Sequence, residues 1–158
     1  MMNQTRVAPV LGSIPSGLFV VTIRKGAEKG AFLASWVQQA SFHPPLITVA
    51  MAKDRPIRSW FQPDTIFGLH VLSSQHKKLL KHFAKPPETP SQVFTHLSQY
   101  QSMYGIPVLT ESMAMLHCRV KSTTDAGDHE LVLGEVFDAE TFDLGKPKVH
   151  IRKNGFQY

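Results

Sequence analysis

The sequence predicts a mainly β domain, an antiparallel barrel or sandwich with peripheral helices, on three observations. Short apolar, β-branched runs recur along the chain between glycine- and proline-marked turns. Around residues 113–122, Ala114, Leu116, Cys118 and Val120 alternate with Met115, His117, Arg119 and Lys121, the period of a half-buried strand. Strands and helices do not take turns along the chain, which argues against a doubly wound parallel sheet.

Taken in order, residues 1–11 carry little periodicity and read as an arm or loosely docked lead-in. Residues 17–23 form an apolar run ended by Arg24, Lys25 and Gly26, hence a buried strand, and glycines at 26 and 30 suit a hairpin loop into a second strand over 31–37. The polar stretch 38–45 ends at Pro44-Pro45, and a third strand follows over 46–52. Pro56 suits the first turn of a short helix through Phe61, with Asp54 as a candidate cap. Residues 66–72 return to strand character. Ser73 or Ser74 can cap a helix over 75–84, whose Leu79, Leu80 and Phe83 share one face and which Pro86-Pro87 ends. Residues 86–105 form a long polar connection, a length usually reserved for functional or mobile loops. The alternating strand near 113–122 then turns at Asp125-Ala126-Gly127-Asp128 into a strand over 129–137, and a last extended piece covers 149–153.

A chain of 158 residues with 42% hydrophobic and 18% charged residues fits one domain with a substantial core and excludes wholesale disorder. No apolar run approaches the ~20 residues of a spanning helix, and the N-terminal residues lack a signal peptide's apolar core. A cytoplasmic protein without a membrane partner is therefore expected. The single Cys118 excludes an internal disulfide framework. The net charge of +5 is dispersed rather than clustered, and no RNP-like or zinc-finger pattern accompanies it, so no nucleic-acid partner is expected. Phosphate-loop and nucleophile-elbow motifs are absent. Eight histidines occur without HxH, HxxxH or HExxH spacing, so no metal is expected.

Three places carry candidate chemistry. Residues 34–42 join Ser35, Gln38, Gln39 and Ser41 to Trp36 and Phe42; such an edge suits a flat heterocycle needing stacking and hydrogen bonds. The same residues equally suit a strand end whose serines satisfy the backbone. Lys53 and Arg55, with Arg58 nearby, could hold a phosphate or form a solvated charged turn. Gly127-Asp128-His129 could place a histidine for proton handling or substrate orientation, or be an ordinary turn.

Together these places resemble the flavin reductase-like family with the FMN-binding split β-barrel fold. The matching segments are GLFVVT, LASWVQQASFHPPLITVA, AKDRPI, KHFAK, GDHELVLGEV and VHIRKNGFQY, covering residues 12–158 behind an arm of residues 1–11. The chain is similar in particular to the reductase domains fused at the C-terminus of diflavin flavoproteins of phototrophic bacteria and to their stand-alone relatives. It shows no metallo-β-lactamase-like or flavodoxin-like portion, so a stand-alone form is expected. The resemblance implies an FMN-bound homodimer that takes a hydride from NADH or NADPH and passes electrons to free flavin or another acceptor, including a protein. It implies Ala34, Ser35, Trp36 and Val37 along the flavin ring, Ser41 and Phe42 at the connection, and Lys53 and Arg55 near the phosphate. His82 and Phe83 match a segment that closes over the flavin. His129 falls on the nicotinamide side as the candidate catalytic or orienting group, with His150, Arg152 and Tyr158 framing that pocket. Residues 50–54 offer no hydroxyl to the phosphate, where many relatives carry Ser, Thr or Asn. The alternative is an FMN-binding electron-transfer or sensing module without efficient NAD(P)H reductase activity.

Overall fold

Apolar side chains on both faces of several strands require cover on both sides, and one curled antiparallel sheet with an outer layer supplies it. The computed structural model describes residues 2–85, 90–143 and 145–157. Its strands are β1 (Phe19–Lys25), β2 (Glu28–Ala34), β3 (Val37–Ser41), β4 (Leu46–Ala52), β5 (Ile66–Val71), β6 (Gln99–Gln101), β7 (Pro107–Leu109), β8 (Ala114–Ala126) and β9 (His129–Thr141). Seven of them form one sheet in the order β2-β1-β5-β8-β9-β4-β3, and β6 pairs with β7 separately. Every pairing is antiparallel.

The sheet curls into an open barrel. Phe32 and Ala34 of β2 share a core with Ile47, Val49 and Met51 of β4, although four strands separate β2 from β4 in the sheet. Val21, Ile23, Phe67, Leu69, Cys118, Val120 and Val132 complete that core, and Ile57 and Phe61 around the short 3-10 helix Arg58–Trp60 join it. Gly134 makes the packing possible, because a Cβ there would stand 2.7 Å from Phe67 Cζ. Burial of these side chains is the main force holding the curl.

An outer layer covers the other face of β1 and β2. Helix α2 (Lys77–Phe83) and the 3-10 helix Pro90–Phe94 bring Leu79, Phe83, Val93 and Phe94 against Val20, Ala31, Leu72 and Leu109. His82 Nε2 donates to the Val93 carbonyl at 2.7 Å and ties the two helices together.

Four local differences from the sequence reading have physical reasons. Residues 4–12, expected as an arm, form helix α1 (Gln4–Gly12), capped by the Asn3 side chain, which accepts from Arg6 N–H at 3.2 Å. The second strand ends at Ala34, and Val37–Ser41 forms its own edge strand against β4, whose exposed Gln38, Gln39 and Ala40 give no apolar period. The 86–105 connection contains a 3-10 helix and β6, because Val93 and Phe94 are needed as cover; residues 86–89 lie outside the described residues. The tail does not form a strand but docks through single bridges, Ser16 with His150 and Ser73 with Pro147.

Candidate functional site

The barrel rim where β2 gives way to β3 lies beside the start of β9, because β4 runs between β3 and β9. In register, Val37 faces Val49 on one side of β4, and His129 faces Ala52 on the other. Ala50 N–H donates to the Trp36 carbonyl at 2.9 Å, fixing the residue between β2 and β3. As a result the Trp36 and His129 rings meet, with centroids 4.9 Å apart and planes at 46°. The Arg152 guanidinium lies over the same indole, 4.7 Å from its centroid. Three residues expected at one site from distant segments thus form a single stack. A guanidinium over an indole face is an attractive arrangement, stronger as water is excluded.

His129 is buried, and its ring is tied to a neighbour. Its Nδ1 stands 2.7 Å from Asp128 Oδ1. The hydrogen bond to His129 is the largest cause holding the Asp128 carboxyl below its usual pKa, so the group is ionised near neutrality. An ionised carboxylate can only accept, which places a proton on His129 Nδ1.

Ser35, immediately before the stack, is buried, and its Oγ has no hydrogen-bond partner among the described residues. Leaving such a group unpaired costs on the order of 1–3 kcal/mol, so a ligand that bonds to it is favoured. Ala34 beside it belongs to the barrel core, and Val37 packs against that core. Ser41 and Phe42 stand at the β3–β4 connection, which contains a cis His43–Pro44 peptide, and Phe42 is 78% exposed.

The cations after β4 are held at the same rim. Lys53 N–H donates to the Asp128 carbonyl at 3.0 Å, and its ammonium pairs with Asp125 across the β8–β9 turn. That hydrogen bond is the largest cause keeping the Asp125 carboxyl below its ordinary pKa. Arg55 lies over the Phe32 ring, 4.4 Å from its centroid, with Nη2 3.5 Å from the Leu33 carbonyl. Arg58 faces Glu130 at 3.7 Å.

Three expected residues lie apart from the stack and one is not described. Phe83 is buried in the outer layer with Ala31, and His82 is bound to Val93. His150 is half-buried and pairs through its backbone with Ser16 in both directions, at 2.8 and 2.9 Å. Tyr158 lies outside the described residues. Sequence reasoning missed Asp125 as the partner of Lys53. The two are 72 residues apart, and only the hairpin register brings them together.

A curled antiparallel sheet left open along one edge, with an aromatic–cationic stack at its rim, defines a split β-barrel. This chain belongs to the flavin reductase-like family: residues 11–157 match the Flavin reductase like domain. It is 40% identical over 150 residues to Diflavin flavoprotein A 1 of Synechocystis sp., covering 94% of this chain and 26% of that protein. The chain therefore spans about a quarter of the length of the curated relatives it matches. Among solved structures it resembles the NADH:FAD oxidoreductase SgcE6 of Streptomyces globisporus, at 26% identity and TM-score 0.79, covering 90% of this chain and 80% of that one. SgcE6 in complex with NAD and FAD fragments is similar at 25% identity and TM-score 0.80, covering 90% and 85%. BorF, the flavin reductase component of a bacterial two-component tryptophan halogenase, matches at 26% identity and TM-score 0.79, covering 90% of each chain.

Proposed function

We propose that this chain is an NAD(P)H-dependent flavin oxidoreductase that holds FMN at the rim around Ala34, Ser35, Trp36 and Val37 and acts as a homodimer. The observation that carries the reading is the unpaired, buried Ser35 hydroxyl directly beside the Trp36–His129–Arg152 stack. A flat, hydrogen-bonding ring satisfies both features at once. Family membership and the NAD and FAD fragments bound by SgcE6 support it.

When bound, FMN would supply the redox chemistry that amino-acid side chains lack. The protein's part is to bind, orient and shield. Ser35 would hydrogen-bond the ring edge, and Ser41 and Phe42 would border it from the connection, where a second copy of the chain could complete the cover. Lys53 and Arg55 would neutralise the phosphate in place of the missing hydroxyls, with Lys53 leaving Asp125 to do so. His82 and Phe83 would brace the outer face of β2. His129, held by its Nδ1 bond to Asp128, would orient the nicotinamide, and His150 and Arg152 would border the nucleotide. Tyr158, which lies outside the described residues, would border the same pocket as the family resemblance implies. Hydride transfer itself requires no proton donor from the protein, so His129 is read as positioning the rings for near-attack contact.

The test is anaerobic. The purified protein, loaded with FMN, is mixed with NADH or NADPH and followed at the flavin absorbance band. Bleaching within the mixing experiment is expected. Failure to bind FMN or FAD overturns the reading. Flavin that binds but is bleached by neither nucleotide points instead to an electron-transfer or sensing module.

A further inference from the structure

After Asp143 the charged side chains are all of one sign. Residues 145–157 carry Lys146, Lys148, His150, Arg152 and Lys153 and no Asp or Glu. Backbone bonds at every second residue fix this segment in place. Lys148 N–H donates to the Leu72 carbonyl at 2.8 Å, His150 N–H to Ser16 at 2.8 Å, and Arg152 N–H to Gly12 at 3.0 Å. With that spacing Lys148, His150 and Arg152 share one half-buried face, while Val149, Ile151 and Lys153 are exposed on the other. The row continues directly into the stack through Arg152. Among the described residues, none of the three has a carboxylate within 4.0 Å. His150 feels the consequence: burial first, then Arg152 and Lys148, hold its pKa below the usual value.

A half-buried row of two cations flanking a histidine, with no counter-ion among the described residues, is relieved by an anion. Extended chain rises about 3.3 Å per residue, so Lys148 and Arg152 are roughly 13 Å apart along the backbone. That separation suits a ligand with two spaced anionic groups rather than a single small ion. We propose that this row reads the phosphates of the pyridine nucleotide and that Lys148 selects a 2′-phosphate, so that the chain prefers NADPH to NADH. The inference rests on the oxidoreductase reading for the identity of the nucleotide. Arg152 marks the nicotinamide end, because it lies on the indole that His129 also touches. His150 comes next and faces the diphosphate bridge. Lys148 is farthest along, at the adenosine end, where the 2′-phosphate is the only additional charge. A phosphate monoester carries about −1.5 to −2 at neutral pH, so a lysine there discriminates strongly.

Two measurements on the full chain test this. Binding of 2′-phospho-ADP-ribose and of ADP-ribose is compared by calorimetry, which needs no flavin and no turnover. The kcat/KM values for NADPH and NADH are compared with FMN as acceptor. Wild type should favour the 2′-phosphorylated ligand by roughly tenfold or more in both, the scale of one charge-assisted hydrogen bond. Lys148→Ala should bring both ratios to within about threefold of unity, and Lys148→Arg should keep the preference. Equal affinity in wild type, no binding of either ligand, or a preference that survives Lys148→Ala overturns the proposal. If the binding preference holds and depends on Lys148 while neither nucleotide bleaches FMN, the phosphate row stands and the oxidoreductase reading falls.

Discussion

His129 shows how a neighbour turns an ordinary residue type into a defined one. Asp128 accepts from Nδ1, Trp36 packs against the ring, and burial excludes most water. The imidazole is therefore held in one orientation, which is what a positioning group needs. His129→Ala should slow flavin reduction by NAD(P)H by about tenfold or more, in line with the loss of an oriented group. Flavin content should stay near that of wild type, because the groups assigned to the cofactor lie between Ala34 and Phe42 and after β4. Stopped-flow reduction with a flavin-to-protein ratio on the same sample measures both. Unchanged kinetics would remove His129 from the site.

At the scale of elements, the β8–β9 turn is fastened to the end of β4 by two bonds from one residue: Lys53 N–H to the Asp128 carbonyl, and the Lys53 ammonium to Asp125. The same ammonium is the candidate for the FMN phosphate, so the two anions compete. Combined Lys53→Ala and Arg55→Ala should weaken FMN by about tenfold more than riboflavin, since only FMN has the phosphate. Asp125→Ala, which frees Lys53, should tighten FMN and leave riboflavin unchanged. Equilibrium fluorescence titration with the two flavins distinguishes these outcomes, and parallel losses for both would refute the phosphate assignment. The elements themselves were unevenly legible. The strands around β1, β4, β5, β8 and β9 announce themselves because buried β-branched and alternating residues are forced by the barrel core. Strand β3 does not, because an edge strand with exposed glutamines needs no apolar period. Helix α1 is equally hidden: Pro9 lies inside it, and part of its support comes from distant tail bonds such as Gly155 N–H to the Ala8 carbonyl at 2.8 Å. The site divides the same way. Its residue types could be read from the sequence, but the stack of Trp36, His129 and Arg152 follows from register and tail docking.

The whole molecule is held together across its two layers by a buried polar connection, and this makes its stability sensitive to acid. His70 of β5 is fully buried on the face away from the barrel core, with Nε2 3.3 Å from Thr22 Oγ1 and Nδ1 3.1 Å from Ser112 Oγ. The Thr22 hydroxyl donates to the Pro107 carbonyl at 2.8 Å and so accepts from Nε2–H, while the Ser112 hydroxyl, 2.8 Å from the Leu109 carbonyl, can also donate to the lone pair on Nδ1, so the neutral histidine links β1 and β5 to β7. Burial, the dominant cause, pushes the His70 pKa down from 6.5 to about 3; the Pro107 carbonyl opposes this, and His117 adds to it. Because the folded value lies below the unfolded one, the unfolded chain binds the extra proton between about pH 3 and 6.5. The contribution of neutral His70 is complete above that window and is lost as pH falls through it, by up to about 1.4 kcal/mol per pH unit. Urea unfolding at steps from pH 7 to pH 4 should therefore show falling stability. His70→Gln should be less stable at pH 7 by about 1–3 kcal/mol, the cost of a disturbed buried hydrogen-bond network, but should have a shallower pH dependence. The exposed carboxylates titrate identically in both proteins and cancel in the comparison. If the two slopes coincide, His70 is not the group through which acid loosens the outer layer from the barrel.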